Sequence, residues 1–179
     1  MMLSHFKYSE FDSPDRLGSG SNMDKYFLQK LDSARGKDTV PYVITSGFRT
    51  KEYNQDLIRR GFPASPNSSH LKGLAADISA NTPEKRKRIV KALLAAGFLR
   101  IGIAGTFIHV DLDESKHQTF WKYNSLSESE YQELVNLRSY SQYGKLVAKN
   151  SLRYWKFLLI PLLGLIAIIV KKNASSRSR

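Results

Sequence analysis

The sequence predicts a small α+β domain, a mixed or antiparallel sheet with flanking helices, followed by one hydrophobic C-terminal helix. Three observations carry this. Helical and strand periods succeed each other in irregular order along the first 140 residues. The strand candidates are short, β-branched and bounded by Gly, Pro and Ser. Residues 143–179 differ in kind, with an unbroken apolar run inside a stretch that has no Asp or Glu.

Residues 1–21 read as an extended lead-in ending in a flexible turn, "SPDRLGSGS". Met23, Phe27, Leu31 and Ala34 stand at helical spacing and predict a helix over 23–35. "PYVITSG", 41–47, reads as a strand. "TKEYNQDLIRRG", 50–61, reads as a helix with Thr50 as its cap and Gly61 as its stop. A loop dense in Pro and Ser follows and leads into "SSHLKGLAADIS", 68–79, whose end "AADIS" suits a buried strand. Thr82-Pro83-Glu84 opens the next helix, with Thr as cap and Pro at the first helical position. Ile89, Val90, Leu93 and Leu94 supply its buried face, and Gly97 ends it. "LRIGIAG" and "TFIHVDLD" follow as two strands with a tight turn at Ala104–Gly105. "LSESEYQELVNLRSY" reads as a helix with a capping box from Ser127 to Glu130 and a staple from Leu126 to Tyr131.

The run "FLLIPLLGLIAIIV", 157–170, follows Tyr154-Trp155-Lys156 and precedes Lys171-Lys172. Fourteen residues rise about 21 Å as a helix, against a hydrocarbon core of roughly 30 Å. Length alone favours a buried core helix. The run has no polar face, however, and its flanks are interfacial aromatics and snorkelling cations that extend the span. The expected plan is a globular domain at 1–122, a helical linker with a basic end at 123–153, a transmembrane helix at 154–172 and a basic tail at 173–179. The protein is expected at a membrane, held by this single anchor. The opening residues "MMLSHFKYSEFDSPD" show no cleavable secretory signal.

Of 28 basic residues, eight fall within 143–179, leaving twenty against sixteen acidic residues elsewhere. Most of the net charge of +12 thus belongs to the tail. This argues against a nucleic-acid-binding fold and for an anionic surface as the partner. There is no Cys, so disulfides, thiolate metal sites and a Cys nucleophile are excluded. Any metal must sit on His and carboxylate.

His70 and Asp77 stand seven positions apart among small residues, Gly73, Ala75 and Ala76, that let strands approach closely. His109 lies inside an apolar strand between Ile108 and Val110 and wants a polar partner. Asp111, two residues on, points the same way. Two His and one Asp make an N,N,O tripod that leaves a fourth position open, the usual layout of catalytic zinc. His5 and His117 have no partners at ligand spacing. Tyr8, Phe11, Tyr53 and Phe120 read as core or cleft wall.

"SSHLKGLAADI" resembles the S-x-H-x-x-G-x-A-x-D signature of the zinc D-Ala-D-Ala carboxypeptidase family, which also includes cell-wall endopeptidases and has a Hedgehog-like α+β fold. "FIHVDLD" resembles the strand with the third ligand, "ITSGFRTKEYN" the S-G-[FY]-R segment, and "HFKYSEFDSPD" the start of compact phage members. The resemblance covers about residues 5–115. It implies that His70, Asp77 and His109 ligate Zn2+, that Ser68 buttresses the first ligand, and that Arg49 binds a substrate carboxylate or stabilises the oxyanion. The activity that the resemblance implies is zinc-dependent hydrolysis of peptidoglycan stem peptides or cross-links, as in phage lysis or invasion, at a membrane of the cell envelope or of a virion. Some members carry a Glu three residues before the third ligand, where Thr106 stands, and others a His five before it, where Ala104 stands. Asp111 remains, as base or as a residue that orients His109, with Asp113 third along the same face but farther from the metal. The competing expectation is an inactive, zinc-stabilised module that binds cell-wall peptide.

Overall fold

Short polar caps set the helix boundaries. The computed structural model describes residues 2–38 and 41–139. It has α1 at Lys25–Gly36, α2 at Lys51–Arg59 and α3 at Pro83–Ala95, and a fourth helix, α4, through residues 128–139. Asp24 accepts from the Phe27 N–H at 2.7 Å, Thr50 from Tyr53 at 3.0 Å and Thr82 from Lys85 at 3.2 Å. Each cap satisfies a donor that the helix itself leaves orphaned. The expected start of α1 moves two residues, because Asp24 caps it and Met23 lies in the core in extended backbone. Ser127 accepts from the Glu130 N–H at 3.3 Å, as a capping box requires. The Glu130 carboxylate goes instead to Arg86, at 2.6 and 2.8 Å. Arg86 also donates to the carbonyls of Ala80 and Gly105, so each nitrogen of a buried guanidinium meets an acceptor.

Five strands form one sheet: β1 at Ile44–Ser46, β2 at Ala75–Ser79, β3 at Arg100–Ile103, β4 at Phe107–Asp111 and β5 at Phe120–Lys122. Their order is β1-β2-β4-β3-β5, antiparallel throughout except for the β3–β5 pair, which is parallel. The expected strand at 41–47 shrinks to three residues, with a register shift between Ile44 and Ser46. The period of two then divides the sheet into faces. One face carries Ala76, Val110, Ile101 and Phe120 in register, with Ile78, Ile108 and Ile103 in the next row. These pack with Phe27, Leu31, Ile89, Leu93 and Phe98 in the core, where the Phe27 and Phe98 rings meet edge to face at 5.8 Å. Leu126 and Leu134 are buried in the same core, and the first of the chain's two units ends at Arg138.

The opposite face carries Ser46, Asp77, His109, Gly102 and Trp121 in a single row across all five strands. That row is the floor of the site.

The lead-in is not extended. It contains two 3-10 turns, Tyr8–Phe11 and Ser19–Asn22. Asp12 ties them together by accepting from the N–H groups of Gly18 at 2.9 Å and Gly20 at 2.6 Å. Phe11 is fully buried and its carbonyl accepts from the Phe48 N–H, so this segment closes the sheet beside β1. Among the described residues no helix is long and apolar enough to cross a membrane; the run at 157–170 lies outside them.

Candidate metal centre and active site

His70 sits on a 3-10 turn, Ser69–Lys72, capped by Ser68, whose hydroxyl accepts from the His70 N–H at 3.4 Å. Gly73 closes the turn at φ 67°, and a Cβ there would meet the Asn22 carbonyl at 2.4 Å, so only Gly fits. His70 is 2% exposed. Its Nδ1–H donates to the Gly47 carbonyl at 2.7 Å. That bond sets the tautomer and leaves the Nε2 lone pair facing the sheet. Gly47 is itself pinned, since a Cβ there would meet Phe11 Cα at 2.5 Å.

Asp77 and His109 are direct partners across β2 and β4. His109 Nδ1 lies 2.8 Å from Asp77 Oδ1, and its Nε2–H donates to Asp111 Oδ2 at 3.0 Å. The two imidazoles therefore present opposite nitrogens, each with its remaining N–H engaged. His70 Nε2 is 3.3 Å from His109 Nδ1 and 3.4 Å from Asp77 Oδ1. Three ligands of one tetrahedral zinc would stand about 3.3 Å apart, given bonds of roughly 2.0–2.1 Å. Two of the three separations match this, and the third is shorter. The donor set, the tautomers and the spacing all fit such an ion, and these three residues form a group able to hold a metal.

The electrostatics agree with mutual dependence. Burial pushes His70 below the usual imidazole range. Burial also opposes charge on His109, but the Asp111 and Asp77 carboxylates override it and push its pKa up to about 9. Burial would raise Asp77, yet the two imidazoles hold it well below the usual carboxylate range. A cation at this point replaces the charge that His109 otherwise carries.

The other expected residues surround this cluster. Arg49 donates through Nη2 to Asp77 Oδ2 at 3.0 Å and through Nε to the Ser46 hydroxyl at 2.9 Å. Ser68 acts on His70 through its backbone N–H. Asp111 is 1% exposed; besides His109 it accepts from Arg100 Nε at 2.8 Å and from the Asp113 N–H at 3.0 Å. Asp113 lies away from the cluster, on Lys72, Ser69 and Ser115. Thr106 is exposed in the β3–β4 turn, and Ala104 is buried. His5 pairs with Asp32, and the His117 carbonyl accepts from Arg100.

A cleft of about 540 Å³ lies over the cluster. Tyr53, Leu57 and Phe62 line it, and so do Phe107, Trp121 and Tyr123. Gly102 makes room for Trp121: a Cβ there would meet the indole at 2.4 Å. The indole thus reaches His109, ring centres 5.6 Å apart, with the Arg100 guanidinium 5.3 Å from its own ring centre. Sequence reasoning missed Arg100, Trp121, Tyr123 and Gly47. The alternation in "FWKY", 120–123, is the signal that a strand with two aromatics on one face was present.

A buried and a half-buried imidazole that converge with a carboxylate at the base of a cleft define the site of a metallopeptidase-like protein. The chain belongs to the Peptidase M15 family, whose model matches residues 4–111. Among solved structures it is similar to the L-Ala D-Glu endopeptidase ChiX of Serratia marcescens, at 16% identity and a TM-score of 0.48, covering 62% of this chain and 88% of that one. No curated protein matches the chain.

Proposed function

We propose that the protein is a zinc-dependent peptidase that hydrolyses peptidoglycan stem peptides or their cross-links, held at a membrane by its C-terminal apolar segment. The observation that carries this is the convergence of His70 Nε2, His109 Nδ1 and Asp77 Oδ1 within 2.8–3.4 Å, with both tautomers set by other partners. These three residues would hold the ion. Zinc bound there would polarise an amide carbonyl and make water nucleophilic at neutral pH. Asp111 keeps the His109 ring in its ligating orientation. Arg49 does the same for the Asp77 carboxylate, and its Nη1, which has no partner among the described residues, is left to anchor a substrate carboxylate.

The test is a digestion. Zinc-loaded protein is incubated with intact peptidoglycan sacculi, and released fragments are identified by mass spectrometry. The expected result is chelator-sensitive loss of terminal D-Ala or of cross-links, reduced to background in His70→Ala. A second reading, a zinc-stabilised module that only binds cell-wall peptide, is favoured by Thr106 and Ala104 standing where relatives carry a base. Intact sacculi with folded, metal-loaded protein would select it.

A further inference from the structure

Most polar side chains on the cleft are tied to one another. Arg49 gives Nη2 to Asp77 and Nε to Ser46, which leaves only Nη1 for a substrate carboxylate, and Asp111 is committed to His109 and Arg100. Lys116 donates to the Asn67 carbonyl at 2.7 Å and to the Ser69 hydroxyl at 2.9 Å. Tyr123 is different. It follows β5, and its N–H donates to the Ile103 carbonyl at 2.9 Å, so it continues the parallel ladder. Two residues from Trp121, it shares the cleft face whose neighbouring row holds Asp77 and His109. Its ring is held between Phe107, centres 5.2 Å apart, and Trp121, 6.3 Å apart. The Trp121 indole N–H lies near enough to favour charge on the phenol oxygen, and the phenol O–H is a separate donor. Among the described residues no acceptor takes that proton. Burial, reinforced by the negative charge of Asp77, raises the phenol above its ordinary pKa, so it keeps the proton.

We propose that Tyr123 is a catalytic residue whose hydroxyl donates a hydrogen bond to the carbonyl oxygen of the scissile amide as that oxygen gains negative charge. No proton is transferred; the O–H bond persists and the interaction strengthens with the developing charge. This rests on the peptidase reading above. Tyr53, the other tyrosine on the cleft, belongs to α2 and not to the sheet that carries the ligands. A phenol that stays protonated does not replace a base at position 104 or 106. It supplies a donor for the oxyanion, where loss of one donor typically costs on the order of 10²–10³ in kcat.

The experiment compares wild type with Tyr123→Phe in the full chain. Zinc affinity is read by chelator competition, acetohydroxamate affinity of the zinc-loaded protein by calorimetry, and turnover with sacculi at several substrate concentrations. The expected result is unchanged zinc affinity, acetohydroxamate binding weakened about tenfold, and kcat lowered on the order of 10²–10³ with little change in KM. Wild-type turnover and acetohydroxamate affinity in the variant would overturn the proposal. A fall in zinc affinity would overturn it too, by giving Tyr123 a structural role in the cluster. If wild type releases nothing from sacculi, the peptidase reading fails, while the acetohydroxamate comparison still decides whether Tyr123 donates to a ligand oxygen.

Discussion

An imidazole serves a metal well when its second nitrogen is already occupied, because that fixes both the ring and the tautomer. His70 gains this from the Gly47 carbonyl and His109 from Asp111. Asp111 in turn has its other oxygen filled by Arg100 and by the Asp113 N–H, which leaves it poorly placed to accept a proton from water. Burial favours its neutral form, but His109 and Arg100 override this and keep it ionised below the usual carboxylate range. Asp111→Asn is therefore expected to weaken zinc about 10–100-fold, while turnover at saturating zinc stays within about tenfold of wild type, a smaller loss than the 10²–10⁴-fold typical of a removed acid or base. Chelator competition and zinc-saturated kinetics measure the two separately. Unchanged zinc affinity with turnover lowered more than about 100-fold would make Asp111 the base. The three clustered residues were legible in the sequence because His70 and Asp77 share one short motif and His109 interrupts an apolar strand. The tautomers and Arg100 were not, since they depend on the register that sets Arg100 opposite Asp111.

The element that carries His70 is a four-residue 3-10 turn, too short to hold itself rigid. Its stiffness comes from outside. Ser69 donates to Asp113 at 3.1 Å, and Lys72 reaches both oxygens of Asp113, at 3.1 and 3.0 Å, which ties the turn to the chain just beyond β4. Burial disfavours the Asp113 charge, but the bonds from Ser115, Lys72 and Ser69 outweigh it and hold its pKa below the usual range. A carboxylate depressed in this way contributes stability above its unfolded pKa of about 3.9, and that contribution is lost as pH falls through the folded value. Asp113→Asn is expected to cost about 2 kcal/mol at pH 7. The gap should hold from about pH 5 to 8 and narrow progressively below about pH 4. Urea unfolding at pH 7, 5 and 3 measures it; a gap of equal size at all three would remove charge from the explanation. At this scale the capped helices were legible, since Thr50 and Thr82-Pro83 are local signals. β5 was not, because three residues paired in parallel at a sheet edge carry too little period. Nor were the turns of residues 8–22, which depend on the Asp12 carboxylate collecting two glycine amides.

Across the whole chain the charge is divided between a nearly balanced first part and the acid-free stretch 143–179, where eight basic residues flank or follow fourteen apolar ones. The two features attach to a membrane by different forces. Basic residues near an anionic surface contribute about 1 kcal/mol each, and the effect decays within a Debye length, about 10 Å at 0.1 M salt and 3 Å at 1 M. Burial of apolar side chains is not screened by salt and does not require anionic lipid. If the apolar run is the anchor and the cations only assist, the full chain should sediment with neutral phosphatidylcholine vesicles as well as with anionic ones, and 1 M NaCl should release little of it. Deleting residues 143–179 should abolish both. If high salt instead frees the protein and neutral vesicles fail to hold it, the attachment is electrostatic, and the run at 157–170 has a different partner. The outcome bears on the enzyme as well. A tethered peptidase meets only wall peptide within reach of its linker, so release of fragments from sacculi mixed with vesicle-bound protein should be slower than with the deletion variant at equal concentration.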